Sequence, residues 1–411
     1  MKPLQDAYIV AAKRTPIGKS HRGFFKHTRP DDLLAHVLRA VLAELPNLDP
    51  AAIEDVICGC AIPEAQQGLN VARIGAVLAG LPNSVGGITV NRFCASGLSA
   101  VQMAADRIRV GESEVMIAAG VESMSMVPMM GNAPSLSPAA FHNTERVEDY
   151  GIAYGMGLTA EKVAQQWKVS RAAQDAFALQ SHQRALAAQA AGEFSAEITP
   201  VTVTERTLDL ASGQVRQKQR VVSLDEGARP DTSLEGLAKL KPPFAVPRRA
   251  DGTPTGLGSV TAGNSSQTSD GAGALVLASG AAVQRFGLKP LARFVGYASR
   301  GVPPHLMGIG PIEAIPAALK AAGIGQHDLG WIELNEAFAA QALAVLNTLG
   351  LDPARVNPNG GAIALGHPLG ATGAIRAATV VHALQRHQLR YGMVTMCVGM
   401  GQGAAGIFER V

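Results

Sequence analysis

The chain has 411 residues, 47% of them hydrophobic and only 17% charged, with a formal net charge of +3. That balance excludes a disordered chain and is enough for two or three domain-sized units. Aromatic content of 4% and so small a charge argue against a nucleic-acid-binding face.

In chain order, residues 8–12 read as a strand, 31–45 have helical periodicity, and 55–60 are strand-like and apolar. Residues 87–90 predict a strand that runs up to Cys94, and a helix follows with Leu98, Val101, Ala105 and Ile108 on one face. Residues 115–121 form a continuous apolar run, the pattern of a strand buried on both faces. The alternation predicts an α/β protein with a mostly parallel core. Residues 122–268 break the pattern and read as a long insertion. It opens on a Met/Pro/Gly/Ser-rich stretch, 124–140. Two amphipathic helices follow, 159–167 and 170–191, with Thr159 and Ser170 as N-caps, and then a basic stretch, 216–249. The apolar run 272–283 is too short to span a bilayer. Strand 331–334, helix 370–385 and strand 393–397 then repeat the order seen around Cys94, which predicts two related halves.

Cys58, Cys60, Cys94 and Cys397 do not make a disulfide framework at this length, and Cys58 and Cys60 read as buried strand residues. Residues 1–6 are too short for a signal peptide, and Phe408-Glu409-Arg410-Val411 is neither a peroxisomal nor an ER address, so the cytoplasm is the expected location.

Cys94 lies between a strand and a helix, where the positive end of the helix dipole favours thiolate, the nucleophilic form. A buried cysteine of ordinary packing is the alternative at this point. His367 sits in a glycine-rich run, Asn357-Pro358-Asn359-Gly360-Gly361 to Gly373, just before a predicted helix that Pro368 would open. Cys397 ends a buried strand ahead of Gly399, Gly401 and Gly403, whose backbone N–H groups can form an oxyanion site. Asn335-Glu336 ends another strand, where it can orient a water or cap a helix.

Together these runs resemble the thiolase family over nearly the whole chain, adding Ile9 to Pro16, Gly120 to Ser125, Gly258 to Ser266 and Met307 to Pro311 in family order. The resemblance implies the thiolase fold: two duplicated βαβ-type halves packed as five layers, αβαβα, with an inserted α-rich loop domain. It implies halves at 1–121 with 269–289 and at 290–411, and a CoA-binding insertion at 122–268. It implies thiolytic cleavage of 3-oxoacyl-CoA by CoA. Cys94 would carry the acyl group as a thioester, His367 would take the thiol proton, and Asn335 would hold a water. Cys397 would act as acid and base on the acetyl carbanion. The N–H groups of Cys94 and Gly399 would hold the oxyanion. Arg229, Ala262 and Ser266 would contact CoA, and Met156, Met307 and Phe338 the acyl group, although the last three also read as core.

Coenzyme A is the implied co-substrate, with no permanently bound cofactor and no metal. A homodimer or homotetramer is implied, as is a β-oxidation multienzyme partner, with no nucleic acid and no membrane insertion. Met400 departs from the commonest glycine at its position, and Gly155 and Gly236 stand where some short-chain family members carry polar groups. These departures lean toward a degradative enzyme of fatty-acid β-oxidation. A biosynthetic acetoacetyl-CoA thiolase and a non-catalytic CoA- or lipid-binding homologue are the alternatives. A cysteine hydrolase would need neither a second cysteine nor the insertion.

Overall fold

The computed structural model describes residues 4–132, 135–141, 151–244 and 258–411. The N-terminal part runs β1 (Ala7–Arg14), β2 (Gly18–Lys19), α1 (Pro30–Ala43), β3 (Asp55–Gly59), α2 (Val71–Ala79), β4 (Gly86–Val90), α3 (Ser96–Arg109) and β5 (Val115–Ser123). The insertion contributes α4 (Met156–Gln166), α5 (Arg171–Ala190), β6 (Val201–Leu208), β7 (Val215–Val222) and α6 (Leu234–Ala238). The chain then forms β8 (Ser269–Ser279), α7 (Gly280–Arg285), β9 (Ala292–Gly301), α8 (Gly310–Ala322), β10 (Leu329–Leu334) and α9 (Ala339–Leu349). It closes with α10 (Ala362–Leu365), α11 (Thr372–Arg386), β11 (Tyr391–Val398) and β12 (Gln402–Arg410).

The strands are hydrogen-bonded in the order β10-β11-β12-β9-β1-β8-β5-β3-β4, with β2 on β8. Only two residue pairs, Tyr8 with Arg293 and Ile9 with Ala292, join β1 to β9, so two sheet halves meet at a narrow seam. Side-chain alternation sorts the core into layers. On β5, Val115, Ile117 and Ala119 pack under α1 and α2, whereas Met116 and Ala118 face α3 and α11. On β12, Phe408 faces that same central helix layer, whereas Ala405 and Ile407 pack with Ile315 of α8 and Val345 of α9. The outcome is helices, sheet, α3 with α11, sheet, helices: the five layers expected. The central pair crosses closely because it lacks side chains at the contact. A Cβ on Gly373 would lie 2.0 Å from the Leu98 nitrogen, and one on Gly97 would lie 2.6 Å from the Ala374 nitrogen.

The core is mixed, not mostly parallel. Only β3/β4, β3/β5 and β10/β11 are parallel. The central partners β5/β8, β1/β8, β12/β9 and β11/β12 run antiparallel. A continuous apolar run signals burial on both faces, not strand direction. Between β11 and β12 only Gly399, Met400 and Gly401 intervene, too few for a parallel crossover.

Two boundaries also differ from expectation. Helix α4 begins at Met156 with Gly155 as N-cap, and the Thr159 hydroxyl instead donates to the Met156 carbonyl at 2.7 Å. Ser170 does cap α5, accepting from the Ala173 N–H at 3.2 Å. Helix α11 starts at Thr372, because a 3-10 turn, Leu369–Ala371, comes first. The insertion is not purely helical. The basic stretch from residue 216 supplies most of β7, which forms a hairpin with β6, and residues 245–249 of that stretch lie outside the described residues.

Candidate active site

Four chain segments converge at the carboxyl ends of β10 and β11 and the turn before α3. Phe93–Ala95 form one turn of 3-10 helix, in which Phe93 has φ 43°. Ser96 fixes that turn: its hydroxyl accepts from the Arg92 N–H at 2.9 Å and donates to the Phe93 carbonyl at 2.6 Å. Cys94 is half-buried and free. The backbone N–H groups of Gly399 and of Cys94 itself reach its sulfur. Cys397, the penultimate residue of β11, is fully buried beside it.

The expected thiolate-favouring environment is overridden. Burial pushes the Cys94 thiol up to about 12, the two N–H groups pull less strongly the other way, and the Glu122 carboxylate adds to the rise. Cys397 is raised too, by burial first and by Cys94 second. Both sulfurs are therefore protonated in the resting protein at neutral pH, and a base has to take the Cys94 proton when substrate arrives.

His367 offers that base. Its Nδ1 lies 2.6 Å from Thr372 Oγ1, and the Thr372 hydroxyl donates to the Pro368 carbonyl at 3.2 Å. Nδ1 thus carries the ring proton, and Nε2 keeps its lone pair. Asn335 Nδ2 donates to Nε2 at 3.3 Å. Burial, helped by the Arg376 charge, lowers His367 to about 3, so the imidazole is neutral at rest. Asn335 Oδ1 is buried and makes no protein hydrogen bond, which suits it to accept from a water or a substrate group.

The surrounding shell is polar. Glu336 accepts from Ser181 Oγ at 2.6 Å, Asn357 Nδ2 at 2.9 Å and the Ile363 N–H at 3.2 Å, and so holds the glycine-rich loop that leads to His367. Asn357 mimics a strand partner for Leu334, donating to its carbonyl and accepting from its N–H.

Glu122 and Thr372 were not singled out from the sequence as functional. Glu122 accepts from the N–H groups of Ala61 and Gly370, both at 2.8 Å, and from the side chain of Gln67. It pins the end of β3 to the turn after His367. A lone carboxylate ending an otherwise apolar strand was the signal for it. Thr372 gave no comparable signal.

Met307 and Phe338 are buried in one apolar cluster with Cys397, and Met156 packs against it. Arg229 and Ala262 line a separate cavity of about 170 Å³ with His182 and Gln267. The Arg229 side chain is exposed, and its backbone N–H donates to His182 Nδ1 at 3.2 Å. Ser266 does not line that cavity; its N–H donates to the Ala337 carbonyl at 2.9 Å, next to Phe338. Among the described residues no group of three or more His, Cys, Asp or Glu side chains is placed to hold a metal ion. No helix among them is long and apolar enough to cross a membrane.

Against known proteins, residues 7–281 match the family model of the thiolase N-terminal domain, and residues 288–410 that of the thiolase C-terminal domain. The chain is 49% identical over 408 residues to the 3-ketoacyl-CoA thiolase of Bacillus subtilis (strain 168), covering 99% of this chain and 100% of that one. It is 47% identical over 424 residues to the beta-ketoadipyl-CoA thiolase of Pseudomonas knackmussii, covering 99% and 100%. The crystal structure of the Bacillus anthracis acetyl-CoA acetyltransferase superposes with a TM-score of 0.86 at 37% identity, covering 100% of both chains.

Proposed function

The chain belongs to the thiolase family, and on that premise we propose that it cleaves 3-oxoacyl-CoA with CoA, Cys94 carrying the shortened acyl group. It is an acyltransferase of the acyl-CoA C-acyltransferase class that uses CoA as co-substrate. The observation that supports the residue assignment is the pairing of a half-buried thiol, Cys94, with a buried one, Cys397, and a neutral imidazole nearby in the fold whose Nε2 lone pair is held by Asn335.

On this reading the roles are these. His367 Nε2 takes the Cys94 proton as the sulfur attacks the keto carbon. The C2–C3 bond breaks, the acyl carbon stays on sulfur, and the electron pair goes to the acetyl-CoA fragment. Cys397 protonates that carbanion. The thiol of a second CoA then attacks the thioester and releases acyl-CoA and Cys94. The N–H groups of Cys94 and Gly399 are aimed to stabilise the oxyanion. Asn335 holds Nε2 on one side and leaves Oδ1 for a water. Splitting the transfer through a thioester makes two easier steps and ping-pong kinetics.

Arg229 and Ala262, on the insertion side, take the CoA nucleotide and the start of its arm, Ser266 follows the arm, and Met156, Met307 and Phe338 contact the acyl group. Residues 122–268 form the CoA-binding domain between the two halves. The 3-ketoacyl-CoA relative at 49% identity supports a degradative role in fatty-acid β-oxidation over a biosynthetic acetoacetyl-CoA one. A cytoplasmic location and a homodimer complete the reading. The dimer is supported by β4, which ends the sheet with Ile88 41% exposed, near the exposed apolar residues Val77 and Leu69.

Purified protein mixed with acetoacetyl-CoA and CoA, followed by loss of enolate absorbance, tests the activity. Turnover of acetoacetyl-CoA or of a longer 3-oxoacyl-CoA is expected. Absence of turnover at every chain length would refute the activity, and full activity in Cys94→Ser would refute Cys94 as the acyl carrier.

A further inference from the structure

Beside Cys94 lies a cavity of about 250 Å³, lined by Phe93, Met156 and Met400 and by Met129, Met130 and Leu136 of the Met-rich stretch. It is smaller than the roughly 300–1,000 Å³ that enclose a whole drug-sized ligand, so it suits an acyl tail and not the entire thioester. Among the described residues lining it there is no Lys, Arg or His, and the only acidic side chain is Glu64. The Glu64 carboxylate is held in place by the Asn132 N–H at 2.8 Å and by Asn132 Nδ2 at 3.4 Å. A cation does sit nearby, with Lys162 Nζ 5.3 Å from the centroid of the Tyr154 ring, but Lys162 does not line the cavity.

We propose that this cavity selects 3-oxoacyl-CoA substrates with uncharged tails, and that Glu64 is the residue that excludes tails ending in a carboxylate. A terminal carboxylate entering it would lose water without gaining a cation from the described lining, and would meet a side chain of its own sign. A methyl-ended tail would lose only unfavourable hydration, and the unbranched methionines would adapt to its length. Specificity here comes from a repulsive element as much as from an attractive one. The inference rests on the thiolase activity proposed above and on Cys94 as acyl carrier, and it adds the class of tail accepted.

The test compares 3-oxohexanoyl-CoA with 3-oxoadipyl-CoA, which have the same chain length and differ in a terminal methyl against a terminal carboxylate. Wild-type kcat/KM is expected to favour the methyl-ended substrate by about 100-fold or more, the scale of stranding a charge in an apolar site. In Glu64→Gln, which keeps an acceptor for the Asn132 N–H, that ratio is expected to fall about tenfold. Wild-type cleavage of the two substrates within a few-fold of each other overturns the proposal while leaving the thiolase activity intact. So does a ratio that Glu64→Gln does not move. Failure to cleave either of these or acetoacetyl-CoA overturns the activity itself, and this inference with it.

Discussion

His367 Nδ1 lies 2.6 Å from the Thr372 hydroxyl, which donates its own hydrogen bond to the Pro368 carbonyl. This relay decides which ring nitrogen is the base. Without it the imidazole could carry its proton on Nε2, where it would face Asn335 and could not accept from a thiol. Thr372→Val is therefore expected to lower kcat by about tenfold or more with a much smaller change in KM, the scale of general-base catalysis partly lost. Thr372→Ser should restore most of it, since serine supplies the same hydroxyl. Steady-state kinetics of both variants check this. A Val variant with wild-type kcat would show that the tautomer is set by something else.

Cys94 and Cys397 are neighbouring thiols for which different tasks are proposed, so their variants should separate the half-reactions. Cys397→Ser should still accept an acetyl group from acetyl-CoA onto Cys94, visible as an adduct in the intact-protein mass. It should lose exchange of the acetyl methyl protons with deuterated water by about 10²–10⁴-fold, the usual contribution of a positioned acid-base group. Cys94→Ser should lose the mass adduct as well. A Cys397→Ser protein that exchanges protons at the wild-type rate would move the acid-base role to another group.

Much of this site was legible before the fold was known, because its groups sit in short runs of unusual composition. Cys94, His367, Asn335 and Cys397 each end a strand or precede a helix; in the structure Cys397 lies beside Cys94, and Asn335 meets His367. What composition could not show was the environment. The helix-terminus argument predicts a lowered Cys94 thiol, whereas burial dominates and raises it. Strand direction was hidden for a similar reason: β5 and β8 are apolar along most of their length and read alike whether parallel or antiparallel. Thr372 acts through a local turn whose geometry the spacing does not reveal, and Glu122 through contacts formed only when distant segments meet. Sequence spacing does not show that Glu122 reaches Gly370.

The folded imidazole of His367 is held near 3, below the ordinary 6.5. A group that binds its proton less tightly when folded adds stability above its unfolded value, and loses it as pH falls from about 6.5 toward 3. Wild type should therefore lose stability relative to His367→Asn between pH 7 and pH 4.5. The slope is at most about 1.4 kcal/mol per pH unit, and the total is on the order of 2 kcal/mol. Urea unfolding of both proteins across that range measures the difference and removes the contribution of other titrating groups common to both. A difference that does not change with pH would place His367 in a less desolvated setting.

Strand β4 leaves one edge of the sheet without a neighbour, and it carries an exposed isoleucine rather than the charge or proline that usually protects such an edge. Ile88→Lys supplies the missing charge. Wild type is expected to run as a dimer or a multiple of it in solution mass measurements, and the variant to shift toward monomer at micromolar concentration. An unchanged mass for the variant would place the interface on another face.

Arg14 joins β1 to the insertion through a buried triad. Its Nε lies 2.6 Å from Glu197, its Nη1 and Nη2 lie 2.7 and 2.9 Å from Asp225, and Phe194 covers the guanidinium. All three charged side chains are essentially inaccessible to solvent. Removing the cation strands two carboxylates, so Arg14→Met should destabilise the protein by about 3–5 kcal/mol even though the side-chain volume is kept. Replacing the carboxylates as well, in Arg14→Met/Glu197→Gln/Asp225→Asn, should recover part of that loss, because the desolvated charge is then gone. The functional consequence runs through Asp225, which also accepts from the Ile17 N–H and lies four residues before Arg229. A loosened Asp225 frees the segment that places Arg229, so KM for CoA should rise several-fold in Arg14→Met while acetyl transfer to Cys94 is affected less. Urea midpoints and CoA titrations on the single and triple variants measure both effects. A large stability loss with an unaltered KM would mean that the triad holds the fold without positioning the CoA-binding arm.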